Sequence, residues 1–237
     1  MRIAHITDLH CNDFMSNYYK VDSIHRLNTV FNDVINREVD LIIFTGDYGD
    51  PSCLKDFFIA VRNRNIPYYL LLGNHDSVEE LSAFINNDIM TDGFLLELNE
   101  KRHSILLLNS YTGTVSEAQI TLLKSVLTES NKAVYIFIHH PIVDCGNTIL
   151  DKKYPLENRD DLKRILHSFE NAVYIFAGHY HNEYENISKN IRQYVTPSCM
   201  VQLAKSKWRI KLSSKKYGYR LIDINDQGIF TESIMFD

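Results

Sequence analysis

Residues 67–76 read PYYLLLGNHD. Six residues that are apolar or aromatic, with no helical period, read as a strand buried on both faces. The run then stops at a glycine, an amide, an imidazole and a carboxylate. Four such residues have no packing reason to stand where a hydrophobic strand surfaces. The question is whether the chain repeats this device.

It does so four more times. Arg2 to Thr7 is a short apolar strand followed by Asp8-Leu9-His10, and DLIIFTGD ends in Gly46-Asp47. AVYIFIHHP ends in His139-His140-Pro141, and AVYIFAGHYH ends in Gly178-His179-Tyr180-His181. Six of the ten histidines fall in these blocks, so the imidazoles are concentrated at strand ends and not scattered. Two histidines two residues apart at one strand end, as in GHYH, form the most specific of the five blocks. The others, His5, His25, His103 and His167, read as core or surface residues.

Between the strands lie helical patterns. Val21, Ile24, Leu27, Val30, Phe31, Val34 and Ile35 share one helical face. Further helices are expected over about 53–64, over 79–86, after a Ser116/Gln119 capping box, and after Asn158 as a cap. Gly93 to Leu98 and Ser104 to Asn109 read as a strand pair. Beyond His181 the pattern changes to short strands at 185–187, 191–196, 207–212, 219–224 and 229–234. Alternating βα units followed by hairpins give an α/β class with a mixed sheet or two packed sheets. Functional sites of such folds gather at the carboxyl ends of strands, so the five endings converge in space.

Carboxylates, imidazoles and one amide oxygen, without thiolate, suit Mn, Fe, Zn or Co. About seven candidate ligands are too many for one ion, and two ions sharing a carboxylate would use them all. Such pairs, about 3.5–4 Å apart, clamp the attacking and leaving oxygens of a phosphoryl displacement. Gly46, Gly73 and Gly178 precede ligands at sharp turns, where a side chain would block positive φ or close approach.

Blocks of the form DxH, GD, GNHD, HHP and GHxH, in this order, resemble the calcineurin-like metallophosphoesterase family. The resemblance implies a four-layer α-β-β-α sandwich of two mixed sheets, with residues 1–237 as a single domain and 184–237 as its β-rich part. Carried over by position, Asp8, His10 and His181 would hold one metal and Asn74, His139 and His179 the other, with Asp47 bridging. Iron and manganese are the ions it favours. Asn74 and His75 would meet the substrate, His75 protonating the leaving oxygen. His140 would touch substrate or support a ligand, and Asp76 would hold the loop or orient a histidine. Tyr48 and Tyr180 stand where smaller or aliphatic residues are common, which bears on substrate fit.

A finer resemblance is to the bacterial class III cyclic-nucleotide phosphodiesterases, through YVTPSCMVQL around Thr196, Asn109-Ser110 and Tyr217 to Arg220, although that branch has proline at 217. It implies hydrolysis of 3′,5′-cAMP or a similar small phosphodiester by metal-activated water. The C-terminal strands would then help shape the pocket. The alternatives are a phosphatase or other nucleotide or lipid-phosphate hydrolase and, from another class, an inert protein-binding scaffold, which would have lost ligands that this chain keeps.

Composition limits the partners. The chain has 237 residues, 45% hydrophobic and 23% charged, with a net charge of −5, which argues against nucleic acid. No run approaches the ~18 apolar residues of a membrane span, and the N-terminus carries no leader pattern. Cys11, Cys53, Cys145 and Cys199 are read as free thiols of a reducing cytoplasm. Monomer and homodimer both remain open. A basic cluster runs from Lys205 to Arg220. The preferred reading is one solvated strand face with Trp208, Ile210 and Leu212 packed inward and lysine blunting an edge; the other is an anion-attracting rim.

Overall fold

The computed structural model describes residues 1–84, 94–98, 103–225 and 227–237. The chain begins with β1 (Arg2–Ile6), α1 (Phe14–Tyr19), α2 (Ser23–Asn36), β2 (Leu41–Phe44), α3 (Pro51–Arg62), β3 (Tyr68–Leu70) and α4 (Val78–Ser82). Next come β4 (Phe94–Leu98), β5 (His103–Leu108), α5 (Glu117–Glu129), β6 (Val134–Ile138), α6 (Ile149–Lys153), α7 (Arg159–His167) and β7 (Val173–Ala177). It ends with β8 (Tyr184–Ser188), β9 (Ile191–Val195), β10 (Gln202–Leu203), β11 (Leu212–Ser214), β12 (Tyr217–Asn225) and β13 (Gly228–Phe236). Residue 86, the expected end of the fourth helix, and residue 93, the expected start of β4, lie outside the described residues.

Two large mixed sheets form among the described residues. One has the order β13-β12-β1-β2-β3, the other β4-β5-β6-β7-β9-β8. β1, β2 and β3 run parallel, as do β5, β6, β7 and β9. Ile3, Ile43, Leu71, Leu107, Phe137 and Phe176 pack between the sheets. Phe137 stacks on Phe176 with ring centroids 4.9 Å apart. The outer face of the first sheet, including Ala4, Ile6, Ile42 and Phe44, packs on α2 and α3. The outer face of the second, including Leu106, Ile136 and Ile175, packs on α5 and α7. The order is therefore helix, sheet, sheet, helix, the expected four layers. Strands covered on both faces are apolar throughout, which is why the runs around 42, 70, 136 and 175 lack alternation.

The helices follow from local chemistry. Asp22 caps α2 by accepting from His25 N, and the buried face is Leu27, Val30, Phe31 and Val34. Asp50 caps α3 with Pro51 in the first turn, where its missing N–H costs nothing. Two expected caps differ. Ser116 does cap α5, but the Gln119 side chain turns away to pair with the backbone of Asn109. Asn158 makes no cap; its side chain bonds both backbone groups of Val115. In each case a buried backbone group elsewhere outcompetes the helix end for the amide.

The basic stretch also departs from expectation. Residues 207–211 are not a strand, because β10 and β11 pair as a short hairpin and 204–211 form its loop. Trp208 is 86% exposed and Ile210 44%, so neither packs inward. The cysteines depart as well. Cys11 bridges Gly49, beside the turn that leads into α3, and this places it opposite Cys53. The two form a disulfide with Cα atoms 6.0 Å apart. The free-thiol reading holds for Cys145 and Cys199, both buried. Among the described residues, no helix is long and apolar enough to cross a membrane.

Candidate metal centre

The carboxyl ends of β1, β2 and β3 meet those of β6 and β7 at one edge of the two sheets. The loop after β1 runs beside the loop after β2: Asp8 N donates to Gly46 O at 3.0 Å, His10 N to Asp47 O at 2.9 Å and Cys11 N to Tyr48 O at 2.9 Å. Close approach explains the glycines. A Cβ on Gly46 would lie 1.9 Å from Gly73 N, and one on Gly73 2.1 Å from Asp47 Oδ1. A Cβ on Gly178 would lie 2.1 Å from Thr7 Oγ1. Only Gly46 of the three has positive φ, so Gly73 and Gly178 serve space and not conformation.

All seven expected ligands come together. Asp8, His10, Asp47 and His181 form one group of converging donor atoms, and Asp47, His139 and His179 form another. Asp47 belongs to both. Its Oδ2 lies 3.4 Å from His10 Nε2 and 3.4 Å from His139 Nε2. His181 Nε2 is 3.3 Å from Asp8 Oδ1 and 3.0 Å from His10 Nε2. Asn74 Oδ1 is 3.1 Å from His139 Nε2, adding its amide oxygen to the second group.

The donor set fits metal ions. Ligands at about 2.0–2.2 Å from one ion are themselves roughly 3.0–3.5 Å apart, which is the spacing seen. The far nitrogens of three histidines are occupied, which aims the near ones inward. His10 Nδ1 meets Asp13 Oδ2 at 2.5 Å, His139 Nδ1 donates to Thr45 O at 2.8 Å, and His179 Nε2 donates to Tyr154 O at 3.0 Å. Neither Asp13 nor Tyr154 lies in the strand-end blocks. Asp13 follows His10 by three residues, a spacing that could have signalled it. The carbonyls of Thr45 and Tyr154 have no sequence signature.

Electrostatics agree. Burial alone would push Asp8 and Asp47 up; the imidazole charges of His181, and of His139 and His10, hold both below the usual carboxylate range. Burial opposes a charge on His139, yet Asp47 and Asp8 raise it to about 9, and Asp47 with Asp13 raises His10. Two buried carboxylates thus demand compensating cations, and in the protein alone protons on His10 and His139 supply them. Metal binding would release those protons.

The remaining candidates divide. Asn74 and His75 line a cavity of about 260 Å³, together with His10, Asp47, His179 and His181. Its wall is apolar: Met15, Leu150, Tyr154, Leu203 and Ile210. Burial and the neighbouring His10 lower the His75 imidazole, against the pull of Asp47. Asp76 holds the loop and orients no histidine: Oδ2 accepts from Asp47 N and Gly73 N, both at 2.7 Å, and Oδ1 from Tyr48 N at 2.9 Å. Burial and the Asp47 charge push its carboxyl up to about 7.

His140 does not line the cavity. It is buried, its Nδ1 lies 2.9 Å from Ser110 Oγ, and its ring packs 4.3 Å from that of His179. Tyr48 and Tyr180 are buried too, with hydroxyls donating to Leu71 O and Asp151 Oδ1, so neither shapes the cavity. Thr196 and Ser198 back β1, through His5 Nδ1 at 2.6 Å and Asp8 O at 2.8 Å. Of the C-terminal part, Leu203 and Ile210 reach the cavity, whereas Gly218 to Arg220 lie in β12.

Comparison with known proteins agrees with this geometry. Residues 1–183 match the calcineurin-like phosphoesterase family. A probable cyclic nucleotide phosphodiesterase of Fibrobacter succinogenes is 29% identical over 230 residues, covering 94% of this chain and 89% of the relative. The 3′,5′-cyclic adenosine monophosphate phosphodiesterase CpdA of Haemophilus influenzae is 26% identical over 201 residues, covering 81% and 73%. The crystal structure of a dimetal phosphatase from Danio rerio superposes with a TM-score of 0.77 at 15% identity, covering 98% of this chain and 95% of that one. The chain belongs to the calcineurin-like phosphoesterase family, whose members use two metal ions, and is a phosphoric ester hydrolase with clustered candidate ligands for such ions.

Proposed function

We propose that this enzyme is a phosphodiesterase acting on a compact diester, with 3′,5′-cAMP among its substrates. One observation carries the reading: two groups of buried ligands share Asp47 at the floor of a small cavity that His75 and Asn74 enter. Relatives named as cyclic nucleotide phosphodiesterases, aligned over nearly the whole chain, support the substrate class. A cavity of about 260 Å³ lies just below the ~300–1,000 Å³ range of small-molecule sites, which favours a compact substrate over a polymer.

Asp8, His10, Asp47 and His181 would hold one ion, and Asp47, Asn74, His139 and His179 the other. Iron and manganese suit these oxygen and imidazole donors. When bound, the ions supply the Lewis acidity that in-line phosphoryl displacement requires. The chain does the rest. Asn74 orients the phosphate, and His75, on the cavity surface, delivers a proton to the departing oxygen. Asp76 and His140 act one layer out, Asp76 by fixing the 73–76 loop and His140 by bracing His179. Residues 1–237 act as one unit, since β12 completes the sheet that carries Asp8.

The test is a panel of 3′,5′-cAMP, 2′,3′-cAMP, an aryl phosphodiester and an aryl phosphomonoester, assayed after chelation and reloading with Mn²⁺. The diesters should lead. A monoester preference above about tenfold in kcat/KM, about 1.4 kcal/mol of transition-state stabilisation, would overturn the diesterase reading.

A further inference from the structure

Three segments frame the mouth of the cavity: α1, the end of α6, and the 204–211 loop. The loop is tied to α6: Ile149 N donates to Ser206 O at 2.8 Å, and Lys152 Nζ lies 6.0 Å from the Trp208 ring. α1 is tied to the turn that follows β11, where Lys215 Nζ donates to Tyr19 O at 2.9 Å. Met15, Tyr154 and Ile210, one from each segment, line the same cavity. This rim carries a concentration of exposed apolar side chains. Trp208 is 86% exposed, Phe14 82% and Tyr18 70%, with Tyr154 and Ile210 exposed beside them. Scattered exposed residues need no explanation, but several large ones on segments that border one cavity do.

The patch is also cationic. Lys152, Lys153, Lys205, Lys207, Arg209 and Lys211 are all exposed on these segments, in a chain of net charge −5. The carboxylates within the same segments are neutralised locally: Asp13 is engaged with His10, and Asp151 is buried, accepting from Thr148 and Cys145. Basic side chains around exposed tryptophan and phenylalanine are the signature of a surface that rests in a bilayer interface, the rings entering the headgroup layer and the cations meeting anionic lipid.

We propose that this rim docks on an anionic membrane surface and seats the cavity mouth against it. A polynucleotide fits less well. Phe14 and Tyr18 stack on each other, centroids 6.1 Å apart, and so are not spaced to receive bases between them. The apolar surface also continues into the cavity as Met15, Leu150, Leu203 and Ile210, which are aliphatic, beside the single ring of Tyr154, whereas a polynucleotide track needs successive aromatic platforms. A protein partner fits less well again, because lysine is depleted at protein interfaces. The docking does not depend on which diester is cleaved.

Trp208 is the sole tryptophan, so its fluorescence reports on the rim directly. The full chain is titrated with vesicles of phosphatidylcholine, alone or mixed with phosphatidylglycerol, and with a single-stranded oligonucleotide. Anionic vesicles should shift Trp208 emission to the blue and co-sediment the protein, at least about tenfold more strongly than neutral ones, and added salt should weaken the effect. The double variant Lys207→Glu/Arg209→Glu and the variant Phe14→Ser should each bind vesicles at least about tenfold more weakly at an unchanged thermal midpoint. Emission unmoved by anionic vesicles, equal binding to neutral and anionic vesicles, or a response to the oligonucleotide alone would each overturn the proposal.

Discussion

Asp8, His10, Asp47, His179 and His181 all hold left-handed backbone, with φ of 56°, 47°, 57°, 69° and 46°. Each such residue costs about 1–2 kcal/mol. The conformation persists because neighbouring loops over-determine it: His179 N is fixed on the Asp8 carboxylate, and Asp47 N on Asp76. His75 stands outside this constraint. It has ordinary backbone, lines the cavity, donates its own N–H to Asp47 Oδ1 at 2.9 Å and sets its ring edge-on to that of His10, centroids 5.2 Å apart. His75→Ala should therefore retain two metal ions per chain while kcat falls by about 10²–10⁴, the usual worth of a positioned acid. Metal analysis beside steady-state kinetics checks this; a lost ion would make His75 a ligand. The candidate ligands were readable from residue chemistry at strand ends, and the fold brings them together. The strained backbone was not, because left-handed geometry at Asp or His leaves no trace in composition and attention falls on glycines.

At the scale of elements, β1 joins the two sheets through one neutral imidazole. His5 Nε2 meets Thr45 Oγ1 at 2.8 Å, at the end of β2, and its Nδ1 meets Thr196 Oγ1 at 2.6 Å, just after β9. Burial, with Arg220 nearby, lowers its pKa from 6.5 to about 3. Below pH 6.5 the unfolded chain takes up a proton that the folded chain refuses, so the stability supplied by neutral His5 is complete above that pH. It is lost as pH falls toward 3, at up to about 1.4 kcal/mol per unit. In urea titrations, the stability advantage of the parent over His5→Gln should shrink steadily across that range. An advantage independent of pH would remove His5 from this role. The major strands and long helices were legible, because a buried strand reads as an apolar run and an amphipathic helix as a period. The 204–211 loop was misread: KWRIKL alternates like a strand, but alternation alone supplies no partner strand. The disulfide was equally hidden, since Cys11 and Cys53 meet only once the β1 and β2 loops lie side by side.

At the scale of the molecule, the candidate ligands come from both sheets: Asp8, His10, Asp47 and Asn74 follow strands of one, and His139, His179 and His181 follow strands of the other. Metal bound there would link the layers, and binding free energy would become folding free energy. Chelation should lower the thermal midpoint, and Mn²⁺ at about 1,000 times its Kd should restore about 4 kcal/mol. Differential scanning calorimetry with and without EDTA decides this; identical midpoints would mean that the ligands do not hold the sheets. The pairing of β1 with β12 has a further effect during synthesis. Met1 N donates to Ile224 O across a sequence separation of 223, and Arg2 to His5 pair with Arg220 to Asp223. At about 5–20 residues per second, a ribosome needs roughly 10–45 s to deliver the second partner after the first. Throughout that interval one edge of β1 lacks its native neighbour, an invitation to wrong pairing. The first sheet, and the half of the site it carries, is therefore completed only after residues 220–223 have been translated.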